Sequence, residues 1–312
     1  MNAAEPILQD HELINALQQR LQASNISGTA LVFTFFCDVV TRHGGEVWLG
    51  SVIHALEPLG INARSVRTAV FRLVKNDWLS SRKQGRRSYY RLSDLGRRHY
   101  LRAAKRIYAN DKPDWGGKWM LLFVAMVPEE KREALHRGLS WLGYGRLATA
   151  VYALPGEDQN PLKDLLADLD IEDNIVHMQA KAEGSESLKD LVLSRWQLED
   201  LQTRYVEFTD WLCQIRMILK SNDPNSPQSL LLLRVLVIHE YRRILLTDPE
   251  LPTGMLPSDW PGEAATNQTA ALYCQLYADS ANWFENQLQM DDQMPTVDIG
   301  NYEPRFASTK VK

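Results

Sequence analysis

The sequence predicts an α+β protein, and three observations carry that reading. Short helical and strand-like runs follow one another from residue 28 to about residue 112, and a second alternation of strand and helix fills residues 113–184. From residue 185 to residue 290 the apolar spacing is helical throughout. At 312 residues, 45% of them hydrophobic, the chain has mass for two or three domains of about 150 residues each.

The first part begins with Thr29 to Arg42, where Leu31, Phe35 and Val39 recur at helical spacing until Gly44 and Gly45 end the pattern. Glu46 to Leu49 alternates like a short strand. A second short helix carries Val52, Ala55, Leu56 and Leu59, with Pro58 closing it. Leu59-Gly60-Ile61-Asn62 reads as a turn with Gly60 in the left-handed region and Asn62 as the next N-cap. The following helix, to Asn76, places Val66, Val70, Leu73 and Val74 on one stripe and leaves Arg64, Arg67, Thr68, Arg72 and Lys75 largely outside it. Two β-capable runs, from Trp78 to Lys83 and from Arg86 to Leu92, flank a turn at Gln84-Gly85. Helix, strand, helix, turn, basic helix and basic hairpin in that order constitute a winged helix-turn-helix, whose third helix enters the major groove. Ser93 then caps a helix that runs to Tyr108.

The second part opens with Lys118 to Met126 as a buried strand. A helix from Pro128 to Leu142, an extended segment from Tyr144 to Leu154, a helix around Leu162 to Leu169 and a strand from Asn174 to Ala180 follow. That order predicts a ferredoxin-like sandwich, expected to serve dimerisation and sensing. In the third part, Leu188 to Ile218 supports one long helix or a pair, Leu230 to Leu246 a strongly apolar helix, and Ala264 to Leu288 a last one. Residues 1–27 form a leader in which Leu13, Ile14, Leu17 and Leu21 fall at helical spacing, and residues 291–312 read as a mobile tail.

The net charge of -4 conceals a split. Residues 41–112 hold 16 Lys and Arg against five acids, a net +11, whereas residues 113–312 carry -12. A module that faces a polyanion, joined to an acidic body, has this signature. Three cysteines, Cys37, Cys213 and Cys274, lie far apart and form no metal-ligand motif, which points to reduced thiols. No apolar run is long enough for a membrane span, so the expectation is a cytoplasmic protein without a membrane partner.

Several runs resemble the PaaX-type repressors of bacterial phenylacetate catabolism. They include His43-Gly44-Gly45-Glu46-Val47-Trp48-Leu49-Gly50, Val66-Arg67-Thr68-Ala69-Val70-Phe71-Arg72-Leu73 and Gly85-Arg86-Arg87-Ser88-Tyr89-Tyr90. Trp115-Gly116-Gly117-Lys118-Trp119 and Trp141-Leu142-Gly143-Tyr144-Gly145 continue the likeness in the middle of the chain. Ile238-His239-Glu240-Tyr241-Arg242-Arg243 and Asp248-Pro249-Glu250-Leu251-Pro252, then Leu256-Pro257 with Trp260 and Gly262, complete it. The likeness spans roughly residues 28–265. It implies a central domain similar to the CRISPR spacer-acquisition nucleases, a helical C-terminal domain, and a dimeric repressor that leaves its operator when phenylacetyl-coenzyme A binds.

The expected DNA-binding residues are Arg64, Ser65, Arg67, Thr68, Arg72 and Lys75 on the third helix and Lys83, Arg86 and Arg87 on the wing. A lone basic helix is ordinarily a solvated face; here a cationic wing accompanies it. Arg67 or Thr68 is expected at base edges and Arg86 and Arg87 at the backbone or the adjacent minor groove, on double-stranded DNA with an inverted repeat. Trp48, Trp78, Tyr89 and Tyr90 are expected to pack the wing against the helices rather than to stack on bases. For the acyl-coenzyme A effector the candidates are His239, Tyr241, Arg242 and Arg243, whose cations suit phosphates but also suit the end of a helix, together with Trp119 and Trp260 for the aryl group. Trp115 and Trp141 are further aromatic candidates, with core burial the plainer role for all four tryptophans. No cofactor or metal is expected.

The alternative is a metal-dependent nuclease acting through the central domain. Such nucleases hold a metal with a carboxylate at the end of the first strand, and Lys118 to Val127 contains neither Asp nor Glu. Glu129 and Glu130 follow Pro128 in the first turn of a helix, where acids favour the dipole. No nucleophile elbow, phosphate loop or HExxH motif occurs. The chain therefore reads as a non-enzyme.

Overall fold

Apolar stripes decide where each helix lies. In the computed structural model, which describes residues 11–108, 117–155, 160–181, 186–196, 198–221, 225–289 and 305–306, the fold is α+β with two antiparallel sheets. The chain forms two compact units that do not follow its linear order. Residues 1–110, 208–242 and 264–312 make one, and residues 111–207 and 243–263 the other. Long helices of the C-terminal part contribute residues to both.

In the first unit, α1 (His11–Ala23) is followed by α2 (Gly28–Asp38), β1 (Glu46–Trp48), α3 (Leu49–Leu56), α4 (Ala63–Lys75), β2 (Leu79–Gln84), β3 (Arg87–Leu92) and α5 (Asp94–Ile107). Ser27 caps α2 by accepting from the Ala30 amide, and every residue from Leu31 to Asp38 is buried, which makes α2 the central post. Within the leader, α1 is a packed helix. Leu13 and Leu17 are buried, the Gln18 amide donates to the Pro58 carbonyl at 2.8 Å, and Arg20 pairs with Glu240 at 2.6 Å. Helix α10 (Pro227–Leu245) is buried on all sides over Leu231–Ile238, a stretch apolar except for Arg234. The other C-terminal helix in this unit is α11 (Gly262–Gln289).

The second unit contains β4 (Lys118–Phe123), α6 (Glu129–Trp141), β5 (Gly145–Ala148), β6 (Val151–Pro155), α7 (Asn160–Leu169) and β7 (Val176–Lys181). The sheet order β5-β6-β4-β7, antiparallel throughout, is that of a ferredoxin-like sandwich. The extended run from Tyr144 to Leu154 is two strands, because the chain turns at Thr149-Ala150 and pairs with itself. Met120, Leu122, Leu135, Leu139, Tyr152, Leu162 and Leu166 close the core between sheet and helices. Helix α8 (Glu186–Arg195) and the start of α9 (Leu198–Ser221) complete the unit, with the Trp196 indole donating to the Gly143 carbonyl at 3.0 Å. Tyr205 donates to Asp248 at 2.7 Å and thereby holds the start of the proline-containing segment 248–261.

The expected mobile tail needs correction at two residues. Arg305 and Phe306 are buried in the first unit. The rest of residues 291–312 lie outside the described residues.

Candidate nucleic-acid interface

Helix α4 is capped as its sequence predicts: the Asn62 carboxamide oxygen accepts from the Ser65 amide at 2.9 Å. Gly60, at φ 77, reverses the chain just before the cap in the region where a Cβ is disfavoured. Val66, Ala69, Val70 and Leu73 are buried beneath the helix. On the opposite face Arg64, Ser65, Arg67, Thr68, Arg72 and Lys75 are all exposed. The Thr68 hydroxyl donates to the Arg64 carbonyl at 2.9 Å and keeps its own acceptor capacity. One further residue lies on this face and has no polar group: Phe71, 68% exposed.

The wing is a hairpin with Lys83 opposite Ser88 and Gln84 opposite Arg87, and β1 pairs on the far side of β3. Its cations divide by function. Arg82 pairs with Glu46 at 2.6 Å and lies 4.9 Å from the centre of the Tyr89 ring, so it ties the wing to β1. Arg87 lies 4.7 Å over Trp48 and is half-buried. Lys83 and Arg86 are exposed. The aromatic residues pack as expected: Tyr89 is fully buried, and Trp78 meets Phe33 edge-on at 4.8 Å and His99 at 4.8 Å. Gly96 permits this arrangement, because a Cβ there would come within 2.2 Å of the Trp78 carbonyl oxygen.

These features match known proteins in the same order along the chain. Residues 27–96 match the family described as PaaX-like protein, residues 112–192 the PaaX protein central Cas2-like domain, and residues 196–286 the PaaX-like protein C-terminal domain. A relative from Escherichia coli K12, Transcriptional repressor PaaX, is 35% identical over 261 residues, covering 82% of this chain and 83% of its own. The chain belongs to the PaaX family. An uncharacterised protein from Mycobacterium tuberculosis has a similar fold, with a TM-score of 0.50 and 22% identity over 76% of this chain and 90% of its own. Within the Cas2-like part of this PaaX-family chain, the first strand, Lys118–Phe123, carries no carboxylate.

The candidate effector residues take internal positions. His239 is buried, with Nδ1 2.8 Å from the Thr34 hydroxyl, and Tyr241 is buried against Phe208 with its hydroxyl 2.9 Å from Thr266. Arg242 is half-buried, donates to Thr34 at 2.7 Å and lies over Phe33. Arg243 is exposed in the other unit, where its carbonyl accepts from Arg204. In that unit Trp119 stands 6.1 Å from Trp196, and Trp260 meets Tyr205 edge-on at 5.8 Å. His239 and Tyr241 thus belong to helix contacts, which leaves Arg242 and Arg243 as cations with solvent exposure. Trp115 and the side chain of Trp141 lie outside the described residues.

A charge cluster that sequence reasoning missed sits at the end of α2. Asp38, fully buried, accepts from Arg234 at 3.1 Å, from Tyr108 and Tyr273 at 3.0 Å each, and from Arg305. Arg305 also donates to the Cys37 carbonyl at 2.7 Å and to the Tyr100 hydroxyl at 2.6 Å. Burial acts to raise the Asp38 pKa, but Arg305 and Arg234 outweigh it and hold the carboxyl below its usual range. Burial pushes the Tyr108 and Tyr273 phenols up, so both remain donors at any physiological pH. The cluster binds α2, which buttresses α4, to the end of α5, to α10 and α11, and to the tail.

Proposed function

We propose that this chain represses genes of phenylacetate breakdown by binding double-stranded operator DNA, and that phenylacetyl-coenzyme A releases it. The observation that carries the reading is the exposed row on α4, with four cations opposite a fully apolar buried face, together with Lys83 and Arg86 exposed at the tip of the wing. Such a row displaces condensed counterions from phosphates and positions side chains at base edges. Membership of a family whose E. coli member is named a transcriptional repressor supports the same conclusion. A DNA partner supports a cytoplasmic location.

The operator is an inverted repeat read by a homodimer, since two copies of one winged module meet DNA most simply about a two-fold axis. We assign the second copy to the central sheet. Its edge strand β7 exposes Val176 and Met178, and the register sets these beside Phe123 and Leu121 of β4, both only half-buried. Release requires the thioester to bind the non-operator conformation more tightly, because equal affinity for two states shifts neither. Arg242 and Arg243 are the cations we assign to its phosphates. Isothermal titration with phenylacetyl-coenzyme A tests the assignment: an Arg242→Ala/Arg243→Ala variant loses affinity at least tenfold, and native affinity would remove both residues from the site.

A further inference from the structure

We infer that Phe71 is a specificity-determining residue that reads a thymine methyl group in the major groove, an inference resting on the reading of α4 as the DNA-facing helix. Among the described residues it is the most exposed large hydrophobic side chain, at 68%. Position decides what that exposure means. At 100° per residue, Arg64, Thr68, Phe71 and Lys75 fall within about 60° of one another, opposite buried Val66, Ala69 and Leu73. Phe71 therefore stands at one edge of the stripe farthest from the core, about 20° from Arg64 and about 40° from Arg67 and Lys75.

A solvated surface helix has little reason to hold a bare phenyl ring among four cations. Isolated exposed apolar residues are ordinary, but this one has no polar tip to share with water, and three of its four neighbours one turn away, Arg67, Thr68 and Lys75, are polar. Charge complementarity names the occupant: Arg64, Arg67, Arg72 and Lys75 fit phosphates on both sides of a groove, and the ring between them meets the groove floor. Of the major-groove edges, only thymine presents a methyl group, and apolar side chains read it by contact. The cations supply sequence-independent affinity, whereas Phe71 supplies discrimination at one base pair per half-site.

The test uses a duplex selected from a random-sequence pool by the full-length wild-type protein. Each thymine is replaced singly by deoxyuridine, which removes the methyl and leaves the pairing edge intact, and dissociation constants are measured for wild type, Phe71→Ala and Phe71→Leu. At one thymine of each half-site, loss of the methyl is expected to weaken wild type about fourfold, the effect of exposing one buried methyl group. The same replacement should weaken Phe71→Ala by less than 1.5-fold, while Phe71→Leu keeps part of the penalty. The salt slope of Phe71→Ala should equal that of wild type, because no cation is removed. An unchanged uracil penalty in Phe71→Ala at every position, or no penalty anywhere in wild type, overturns the inference. Wild-type affinity in an Arg67→Ala/Arg72→Ala variant would instead overturn the reading of α4 itself.

Discussion

Replacing Asp38 by Ala removes the counter-charge of two buried guanidinium groups at once. Arg234 has a fully buried side chain and Arg305 one only 4% exposed, so neither can turn to water without unpacking the helices around it. Breaking a buried ion pair by deleting one partner costs about 3–5 kcal/mol, chiefly the uncompensated charge left behind. For a unit of about 200 residues each kcal/mol corresponds to about 2–4 °C, so the midpoint should fall by about 6–20 °C. Asp38→Asn keeps hydrogen-bonding atoms but no charge, and should lie between the two. Urea denaturation followed by tryptophan fluorescence, with a calorimetric scan alongside, measures both variants. Because the folded-state pKa of Asp38 is depressed, its stabilisation is complete above the unfolded value and is lost only as pH falls through the folded one. The deficit of Asp38→Ala relative to wild type should accordingly be constant from pH 6 to 8 and shrink only in strong acid. A loss below about 1 kcal/mol at pH 7 would refute the view that this cluster organises the unit.

Other perturbations separate the remaining roles. Lys83→Ala and Arg86→Ala should each lower the slope of log affinity against log salt by about 0.9 if each meets one phosphate, whereas Arg82→Ala, whose charge is committed to Glu46, should leave the slope nearly unchanged. Met178→Lys places a charge on the exposed edge strand of the central sheet and should shift sedimentation toward a monomer, weakening operator binding without changing midpoint stability by more than about 0.5 kcal/mol. An unaltered dimer would move the interface elsewhere.

Local chemistry made the N-terminal module of helices and hairpin legible. Asn62 and Ser93 cap the helices expected of them, accepting from Ser65 and Gly96, and the alternation of Val66, Val70 and Leu73 with cations set the outward face of α4. Non-local matters were hidden. Burial of Arg305 depends on Asp38, 267 positions away, and no periodicity announces such a partner. The leader was helical by spacing, but its docking rests on Pro58 and Glu240, far along the chain. A hairpin within residues 144–154 reads as one extended run because Thr149-Ala150 lacks the usual turn residues. His239 and Tyr241 end a buried run and meet Thr34 and Thr266, distant in sequence, as buried polar groups need internal partners. Phe71 carried a readable signal, an apolar residue out of phase with its own helix, that a search for cations passed over. Of the three thiols, Cys37 is buried, and burial pushes it up to about 12, while Cys213 and Cys274 are exposed.

The central claim is that α4 and the wing hold operator DNA and that an acyl-coenzyme A thioester loosens the hold. Fluorescence anisotropy on the DNA upstream of the protein's own gene tests it most directly, with wild type and Arg67→Ala/Arg72→Ala compared with and without phenylacetyl-coenzyme A and free phenylacetate. The account expects tight wild-type binding, at least a hundredfold loss in the double variant, and release by the thioester alone. Equal binding by both proteins, or wild-type binding indifferent to the thioester, would contradict it.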